Sequence, residues 1–277
     1  MKKRVMFVWH GAVAAIKQPA PAHWTVAGPV AGCEFDGQVV VVAGAGGIIG
    51  RELVDAFASE GAFVHALDSD REALDAAEIV RQGKGWAGQV RNHQLDVTNE
   101  DAVTRFAQEC VSVDVLVVAT VLNDRRRQMS EMSSSTLQHM LDINVVAPAN
   151  LVFALSESLE RTGSGSVVFL TSVHASRASR WPQYGTAKGA LRKLTIDLAG
   201  VLAERGVRVN AVAPGWTADS TAPPDDRSAP PHPLGAAIVP IEAVVQAVVF
   251  LADRRRSPMT TGQELVVDGG ALLSPPR

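Results

Sequence analysis

The chain has 277 residues and a formal net charge of −3, with 20% charged and 47% hydrophobic residues. At this length roughly 75% of the unfolded surface can be buried, so one large α/β domain can form a core without disulfides or structural metals. The near-neutral charge argues against a dedicated nucleic-acid-binding protein. The two cysteines, Cys33 and Cys110, exclude a disulfide framework and a four-cysteine zinc site, so no metal is predicted.

The N-terminus allows two interpretations. Basic residues at 2–4 precede an apolar stretch at 5–16, which is the outline of a short signal peptide with small-residue cleavage sites at 12–14 or 20–22. His10 interrupts that stretch. The sequence contains no run of 18 apolar residues, so no membrane-spanning helix is predicted. We therefore favour a cytoplasmic protein in which residues 1–36 form an extension, packed on the domain or on a partner subunit.

Strand-like and helix-like segments alternate from Gln38 onward. Short apolar runs predict strands at 39–43, 63–67, 90–95, 113–119, 166–171, 207–212 and 264–267. Helical patterns fill the gaps, at about 50–61, 71–82, 100–110 after an Asn99 cap, 136–161, 182–204 and 240–252. This alternation predicts right-handed βαβ crossovers and a doubly wound parallel sheet with helices on both faces, a three-layer α/β/α fold.

These segments define one domain over residues 37–270, followed by a short tail at 271–277. Residues 216–239 are rich in proline and polar side chains, and we expect them to form a mobile lid beside the site.

Glycines follow the first predicted strand at positions 44, 46, 47 and 50. Glycine allows a tight turn and a close approach of the backbone to a pyrophosphate. The helix that follows offers free N–H groups and a partial positive charge to phosphates. A strand before the glycines and a helix after them are the context that a dinucleotide-binding turn requires. We therefore predict that Gly44, Gly46, Gly47 and Gly50 bind a dinucleotide cofactor.

An acidic residue ends the next predicted strand. Asp68 lies 18 residues beyond Gly50, close to the expected spacing of about 20. A carboxylate at this place accepts hydrogen bonds from both hydroxyls of an adenosine ribose and repels a 2′-phosphate. The sequence therefore favours NAD, while Arg51 and Arg71 keep NADP open as the alternative.

The only tyrosine, Tyr184, lies four residues before Lys188 in a predicted helix. Residues at this spacing share a helix face. A free tyrosine has a pKa of about 10, and a neighbouring ammonium lowers that pKa because it stabilises the phenolate. Tyr184 is therefore a candidate general acid/base for an alcohol oxygen. Ser172, at the end of the preceding strand, is a candidate to hold the same oxygen.

Taken together, these pieces resemble the short-chain dehydrogenase/reductase family of the single-domain Rossmann type. The resemblance covers about residues 35–270 and depends on motifs in a fixed order. They are the Gly-rich turn at 44–50, Asp68, Asp96-Val97, Asn144, Ser172, Tyr184 with Lys188, residues 208–215, and residues 261–263 with 268–270.

The resemblance implies a seven-stranded sheet and hydride transfer between a nicotinamide and a carbinol or carbonyl. It implies Tyr184 as general acid/base and Ser172 as the positioner of the substrate oxygen. Lys188 would bind the nicotinamide ribose and tune Tyr184, and Asn144 would hold a water in a proton relay.

The resemblance also implies the remaining cofactor contacts. Asp96 and Val97 would flank the adenine, while Pro214 and Gly215 would line the nicotinamide site. Thr217 would reach the carboxamide. Cofactor contacts are also assigned to Ile49 and Ala119.

The chain departs from the family pattern in two places. The Gly44, Gly47 and Gly50 spacing resembles that of the extended branch, which modifies sugar nucleotides. After the fourth strand the family usually has Asn-Asn-Ala-Gly, whereas this chain has Val-Ala-Thr-Val at 118–121. In the family pattern, the glycine of this motif lets the backbone lie close to the cofactor. This chain has Val121 in its place, so we expect Val121 to crowd the cofactor and weaken its binding.

The substrate pocket is expected to form from residues 174–183, the loop after strand four, and residues 216–239. Arginines at 125–127, 177 and 180 would suit a carboxylate or phosphate, although a solvated cationic face is the preferred interpretation. Trp181 and Trp216 are candidates to stack on a substrate ring or to pack in the core, and His174 is a candidate substrate contact.

The leading functional hypothesis is an NAD-dependent dehydrogenase or ketoreductase acting on a small-molecule alcohol or ketone. The alternatives are a non-catalytic NAD-binding sensor or scaffold of the same fold, and a nucleotide-sugar epimerase or dehydratase. Family members commonly pair the helices at 136–161 and 182–204, so the resemblance also implies a homodimer or homotetramer.

Overall fold

The structure is a computed structural model that describes residues 34–86, 89–123, 129–178, 181–217, 233–234 and 238–273. Residues 1–33 of the predicted extension lie outside the described residues. So do the arginines at 125–127 and 180, residues 218–232 and 235–237 of the predicted lid, and residues 274–277. The domain boundaries at 36/37 and 270/271 stay predictions.

Within these described ranges, seven parallel strands form a single sheet in the order β3-β2-β1-β4-β5-β6-β7. The strands are β1 (Val39–Ala43), β2 (Phe63–Asp68), β3 (Val90–Gln94), β4 (Val115–Val118), β5 (Ser166–Leu170), β6 (Arg208–Pro214) and β7 (Glu264–Val267). The wholly apolar runs of β1 and β4 lie at the centre of the sheet, where both faces are covered. This arrangement confirms the predicted seven-stranded Rossmann fold.

The helices pack on both faces of the sheet. They are α1 (Ile48–Ser59), α2 (Arg71–Arg81), α3 (Glu100–Glu109), α4 (Ser134–Leu141), α5 (Ala147–Arg161), α6 (Pro182–Ala203) and α7 (Ile241–Ala252). One buried cluster joins α3, α5 and α6 to one face of the sheet, and a second joins α1, α2 and α7 to the other face. Alternate residues of β1 serve the two clusters, as the two-residue period of a strand requires. Asn99 caps α3 as predicted, accepting a hydrogen bond from the Ala102 N–H at 3.0 Å.

The predicted helix over about 136–161 is present, with one irregularity in its interior. The helical stretch starts at Ser134 and contains a π-helical turn, Asp142–Val146, between α4 and α5. Pro148 explains the interruption, because proline has no N–H to donate to the Asn144 carbonyl four residues earlier, and its ring crowds that carbonyl. The wider turn instead places the Ala147 N–H on the Asp142 carbonyl.

Within the described residues, one helical stretch, Ser134–Arg161, is long and apolar enough to cross a membrane by length and composition. Its residues Leu151, Leu155 and Leu159 are fully buried in the cluster under the sheet. A core helix of a globular domain passes the same test.

Candidate active site

The Gly-rich turn is packed so tightly that two of its glycines are required by geometry. Gly44 has φ +84°, and a Cβ atom there would lie 2.7 Å from the backbone of Ala119 and Thr120. A Cβ atom on Gly50 would lie 1.9 Å from the Gly44 carbonyl oxygen. The unusual glycine spacing therefore still produces a close contact between the turn, the start of α1 and the end of β4.

Asp68 lies at the end of β2 and contacts the turn directly. Its Oδ2 accepts a hydrogen bond from the Gly46 N–H at 2.8 Å, and its Oδ1 accepts one from the Asp70 N–H at 3.0 Å. A Cβ atom on Gly46 would approach Asp68 Oδ2 to 3.0 Å, so this position has no room for a larger residue. The carboxylate thus stabilises the turn, a role that the motif spacing alone did not predict.

A cavity of about 480 Å³ opens beside this turn, and we call it the cofactor-side cavity. Among the residues that line it are six of the predicted cofactor residues: Gly44, Gly47, Asp68, Asp96, Val97 and Ala119. The lining also includes residues that the sequence did not single out, among them Ser69, Leu122 and His139. His139 comes from α4, and no motif in the sequence pointed to it.

A second cavity of about 140 Å³, the reaction-side cavity, lies at the carboxyl ends of β4, β5 and β6. Its lining includes the predicted residues Ile49, Ala119, Ser172, Tyr184, Lys188, Pro214, Gly215 and Thr217. Ala119 and Val121 line both cavities, so the two spaces adjoin. A ligand with two ends can therefore reach from Asp68 to Tyr184.

Tyr184 and Lys188 lie one turn apart near the start of α6. Lys188 is fully buried, its Nζ donates a hydrogen bond to the Leu170 carbonyl at 2.9 Å, and the same atom lies 5.9 Å from the centroid of the Tyr184 ring. Burial lowers the pKa of Lys188 to about 7, because the charged form loses its hydration. An amine that titrates near neutral pH inside a cavity is typical of a functional site.

Ser172 follows β5 directly and is buried at the edge of the reaction-side cavity. Its Oγ accepts a hydrogen bond from the His174 backbone N–H at 3.3 Å at the start of a 3₁₀ turn, Val173–Ala175. That turn fixes the backbone on which the hydroxyl is mounted.

Asn144 lies in the π-helical turn and is fully buried. Its Nδ2 donates to the carbonyls of Leu122 at 3.1 Å and Met140 at 3.0 Å. Within the described part of the chain its Oδ1 has no hydrogen-bond partner. A buried amide oxygen of this kind usually accepts from an ordered water. Three of the predicted site residues line neither of the two cavities: Asn144, Gly46 and Gly50.

An aromatic cluster covers part of the reaction-side cavity. The Trp181 ring lies 5.5 Å from the Trp216 ring and 5.1 Å from the His174 ring, and His174 lies 5.9 Å from Tyr184, all in edge-to-face geometry. Three chain segments meet here, so sequence patterning did not predict the cluster. Trp181 is buried, which favours the packing role over free stacking on a ligand.

The predicted arginine contacts are only partly described. Arg177 is exposed and does not line the reaction-side cavity. At the base of the predicted lid, Thr217 and Val239 pair as an isolated bridge, and the Val239 N–H donates to the Trp216 carbonyl at 2.6 Å. The first and last residues of the segment are therefore held together.

The residues present fit a dinucleotide cofactor. Glycine backbone and an acidic side chain line one cavity, a tyrosine and a lysine line the other, and the two cavities adjoin. The fold and the site together define a Rossmann-type oxidoreductase of the kind that uses a nicotinamide cofactor.

Comparison with known proteins identifies the family. A family model described as enoyl-(acyl carrier protein) reductase matches residues 44–271. The chain is 34% identical over 251 residues to galactitol 2-dehydrogenase (L-tagatose-forming) of Cereibacter sphaeroides, which covers 85% of this chain and 95% of that protein.

Two solved structures are also similar. Carveol dehydrogenase from Mycobacterium avium in complex with NAD has a TM-score of 0.78 at 25% identity, covering 87% of this chain and 99% of that one. A gluconate 5-dehydrogenase from Burkholderia cenocepacia in complex with NADP and tartrate has the same TM-score of 0.78 at 24% identity, with 87% and 97% covered, and shows a shared fold. The chain belongs to the short-chain dehydrogenase/reductase family, whose members are NAD(P)-dependent dehydrogenases and reductases.

Proposed function

We propose that the protein is an NAD(H)-dependent dehydrogenase or ketoreductase that acts on a small alcohol or ketone, with Tyr184 as general acid/base. The observation that carries this proposal is the placement of Ser172, Tyr184 and Lys188 around one cavity that adjoins the cofactor-side cavity. Lys188 is held there by burial and by its bond to Leu170, the residue two positions before Ser172.

The proton chemistry follows from these side chains. A bound nicotinamide supplies the hydride acceptor for an alcohol, or the hydride donor for a ketone. Tyr184 Oη takes the proton from the carbinol oxygen, or returns it to the carbonyl oxygen. The Ser172 hydroxyl donates a hydrogen bond to that same oxygen. Lys188 Nζ, when protonated, stabilises the Tyr184 phenolate. Asn144 Oδ1 would hold a water that takes up the proton released by alcohol oxidation and supplies the proton used by ketone reduction.

Two contacts support NAD rather than NADP. Asp68 presents a carboxylate at the cofactor-side cavity, where a 2′-phosphate would be repelled. Arg71, one of the two cations that kept NADP open, is paired with Asp75 at 2.8 Å. Proteins of similar fold bind either cofactor, so the preference for NAD is tested by measuring the affinities for NADH and NADPH.

We expect a compact substrate. The reaction-side cavity is small, and Trp181 and Trp216 close part of it with rigid rings. Among the described residues that line it, Lys188 is the only charged side chain, and its ammonium already bonds to Leu170. A small uncharged alcohol or ketone fits this lining better than a phosphorylated or carboxylated compound.

We also propose that the protein forms a homodimer or homotetramer through α5 and α6. Apolar side chains are exposed on both helices, with Phe153 59% exposed on α5 and Val201 62% exposed on α6. Both helices pack on the same face of the sheet, and a contiguous apolar patch across them would be typical of a protein interface.

The test is a cofactor titration followed by a substrate panel. Quenching of NADH fluorescence measures binding, and loss of nicotinamide absorbance with small cyclic and linear ketones measures turnover. Binding with turnover supports the proposal. Binding without turnover on any ketone or alcohol would favour the non-catalytic sensor. Val121, which stands where the family usually has glycine beside the cofactor, is the feature that supports this second candidate. Absence of binding to both NADH and NADPH would rule out the proposal.

A further inference from the structure

Three side chains connect the helix that carries Tyr184 to the strand that precedes Ser172. Arg192 lies on α6 four residues beyond Lys188, so Tyr184, Lys188 and Arg192 share one helix face. The Arg192 Nε pairs with Glu264 Oε2 at 3.0 Å. The Thr171 hydroxyl then donates a hydrogen bond to Glu264 Oε1 at 2.6 Å, which is closer than the other acceptor in reach, the Val212 carbonyl at 3.1 Å.

The sheet register explains how Glu264 reaches Thr171. Glu264, on the edge strand β7, pairs with Ala211 on β6, which in turn pairs with Phe169 on β5. Side chains of directly paired residues on parallel strands point to the same face of the sheet. Glu264, Ala211 and Phe169 therefore lie in one row on one face of the sheet, and Thr171 follows Phe169 by two residues.

The carboxylate is held in a fixed place. The Glu264 side chain is only 8% exposed, and Thr171 is 4% exposed. A buried carboxylate is unfavourable unless both of its oxygens have partners. Here one oxygen accepts from Arg192 on the helix and the other from Thr171 beside the catalytic serine, so the two elements are held at a defined separation.

A second tie acts beside the first. Lys188 Nζ bonds to the Leu170 carbonyl, so α6 is joined to two successive residues, Leu170 and Thr171, directly before Ser172. The distance between the Ser172 hydroxyl and the Tyr184 phenol depends on this alignment. A displacement of about 1 Å at a reacting group can lower a rate by about a hundredfold.

We propose that Glu264 is a positioning residue, which aligns Ser172 with Tyr184 by bridging Arg192 and Thr171. This inference rests on the proposed function, since alignment matters only if both hydroxyl groups act on one substrate oxygen. It assigns a purpose to a buried acid at the sheet edge that the acid/base chemistry itself does not use.

A pair of substitutions at Thr171 separates positioning from packing. Thr171→Val keeps the shape but removes the hydroxyl, whereas Thr171→Ser keeps the hydroxyl but removes a methyl group. Positioning predicts that Val lowers kcat by about tenfold or more, while Ser retains most of the turnover. NADH affinity and the KM for the ketone stay close to wild type in both. A packing role predicts the reverse order, and that order would overturn the proposal.

Two further variants complete the design. Glu264→Gln keeps an acceptor oxygen for Thr171 but loses the charge that pairs with Arg192, so an intermediate loss of kcat is expected. Lys193→Met removes an exposed ion pair with Asp197 on the same helix and serves as the control, with turnover unchanged.

Crystal structures of the Thr171 variants give a readout that does not need turnover. The proposal predicts that the distance from Ser172 Oγ to Tyr184 Oη changes by about 0.5 Å or more in Thr171→Val and stays at the wild-type value in Thr171→Ser. An unchanged distance in Thr171→Val would overturn it. If the wild type turns over no substrate, the proposed function fails, while this distance still decides whether Glu264 aligns the two hydroxyl groups.

Discussion

Lys188 is expected to destabilise the fold in which it acts. Its side chain is 1% exposed, and burial lowers its pKa from 10.5 to about 7. The unfolded chain pays no such penalty, because water hydrates the ammonium there. Replacement by methionine, which has a similar length and no charge, should therefore raise the free energy of unfolding near neutral pH.

The sign and size of this effect follow from the pKa shift. Between about pH 7 and pH 10 the unfolded chain holds a proton that the folded chain has released, so this group makes stability rise with pH in that window. At about 1.4 kcal/mol for each pKa unit, the full penalty below pH 7 is about 5 kcal/mol. Lys188→Met also leaves the Leu170 carbonyl unpaired, which costs about 1–3 kcal/mol. A net gain of about 2–4 kcal/mol remains near pH 6.

Urea unfolding followed by tryptophan fluorescence measures the difference between wild type and variant. That difference should shrink by about 2 kcal/mol between pH 7 and pH 9, while all other titrating groups cancel. Lys193→Met, which removes an exposed lysine from the same helix, is the matched control. A Lys188→Met difference that stays constant with pH, or a variant less stable than wild type at pH 6, would show that burial of the Lys188 charge does not destabilise the fold.

Three other substitutions test the cofactor site and the assembly. Asp68→Ala should weaken NADH binding by about tenfold to a hundredfold, because hydrogen bonds to a charged group contribute about 1.5–3 kcal/mol. The variant should also shift the cofactor preference toward NADPH. Titration with both cofactors measures this, and an unchanged preference would contradict the role of Asp68 at the ribose. Val121→Gly removes a side chain that lines both cavities and should tighten NADH binding in the same titration, whereas weaker binding would show that Val121 does not crowd the cofactor. Phe153→Glu places a charge on the exposed face of α5 and should split the oligomer in size-exclusion chromatography with light scattering; a wild-type monomer would contradict the assembly proposal.

The strands and most helices were predictable because their signals are local. Wholly apolar runs such as β1 predict strands buried on both faces, and caps such as Asn99 mark helix starts. The helix over 136–161 was predicted, but the π-helical turn inside it was not, since apolar periodicity does not distinguish a π-helical turn from an α-helical one. Proline is tolerated in the first turn of a helix, so its presence does not by itself predict a π-helical turn before it.

The candidate site divides in the same way. Tyr184 and Lys188 share a helix turn, and Asp68 follows the Gly-rich turn at a fixed spacing, so the sequence alone brought them forward. The aromatic cluster and the Thr171–Glu264 bond join residues distant in sequence, and only the order of strands makes them neighbours. The hydrogen bond from the Gly46 N–H to Asp68 was not predicted for another reason. Asp68 was already explained as a ligand of the adenosine ribose, so no further role was sought for its carboxylate.

The most direct measurement is the turnover of Tyr184→Phe with a ketone that the wild type reduces. We expect kcat to fall by about a hundredfold to ten-thousandfold with NADH affinity unchanged, because only the exchangeable proton is lost. Thr186→Val, on an exposed position of the same helix, should turn over like wild type. A Tyr184→Phe enzyme that keeps its turnover would contradict the assignment of this phenol as the proton carrier.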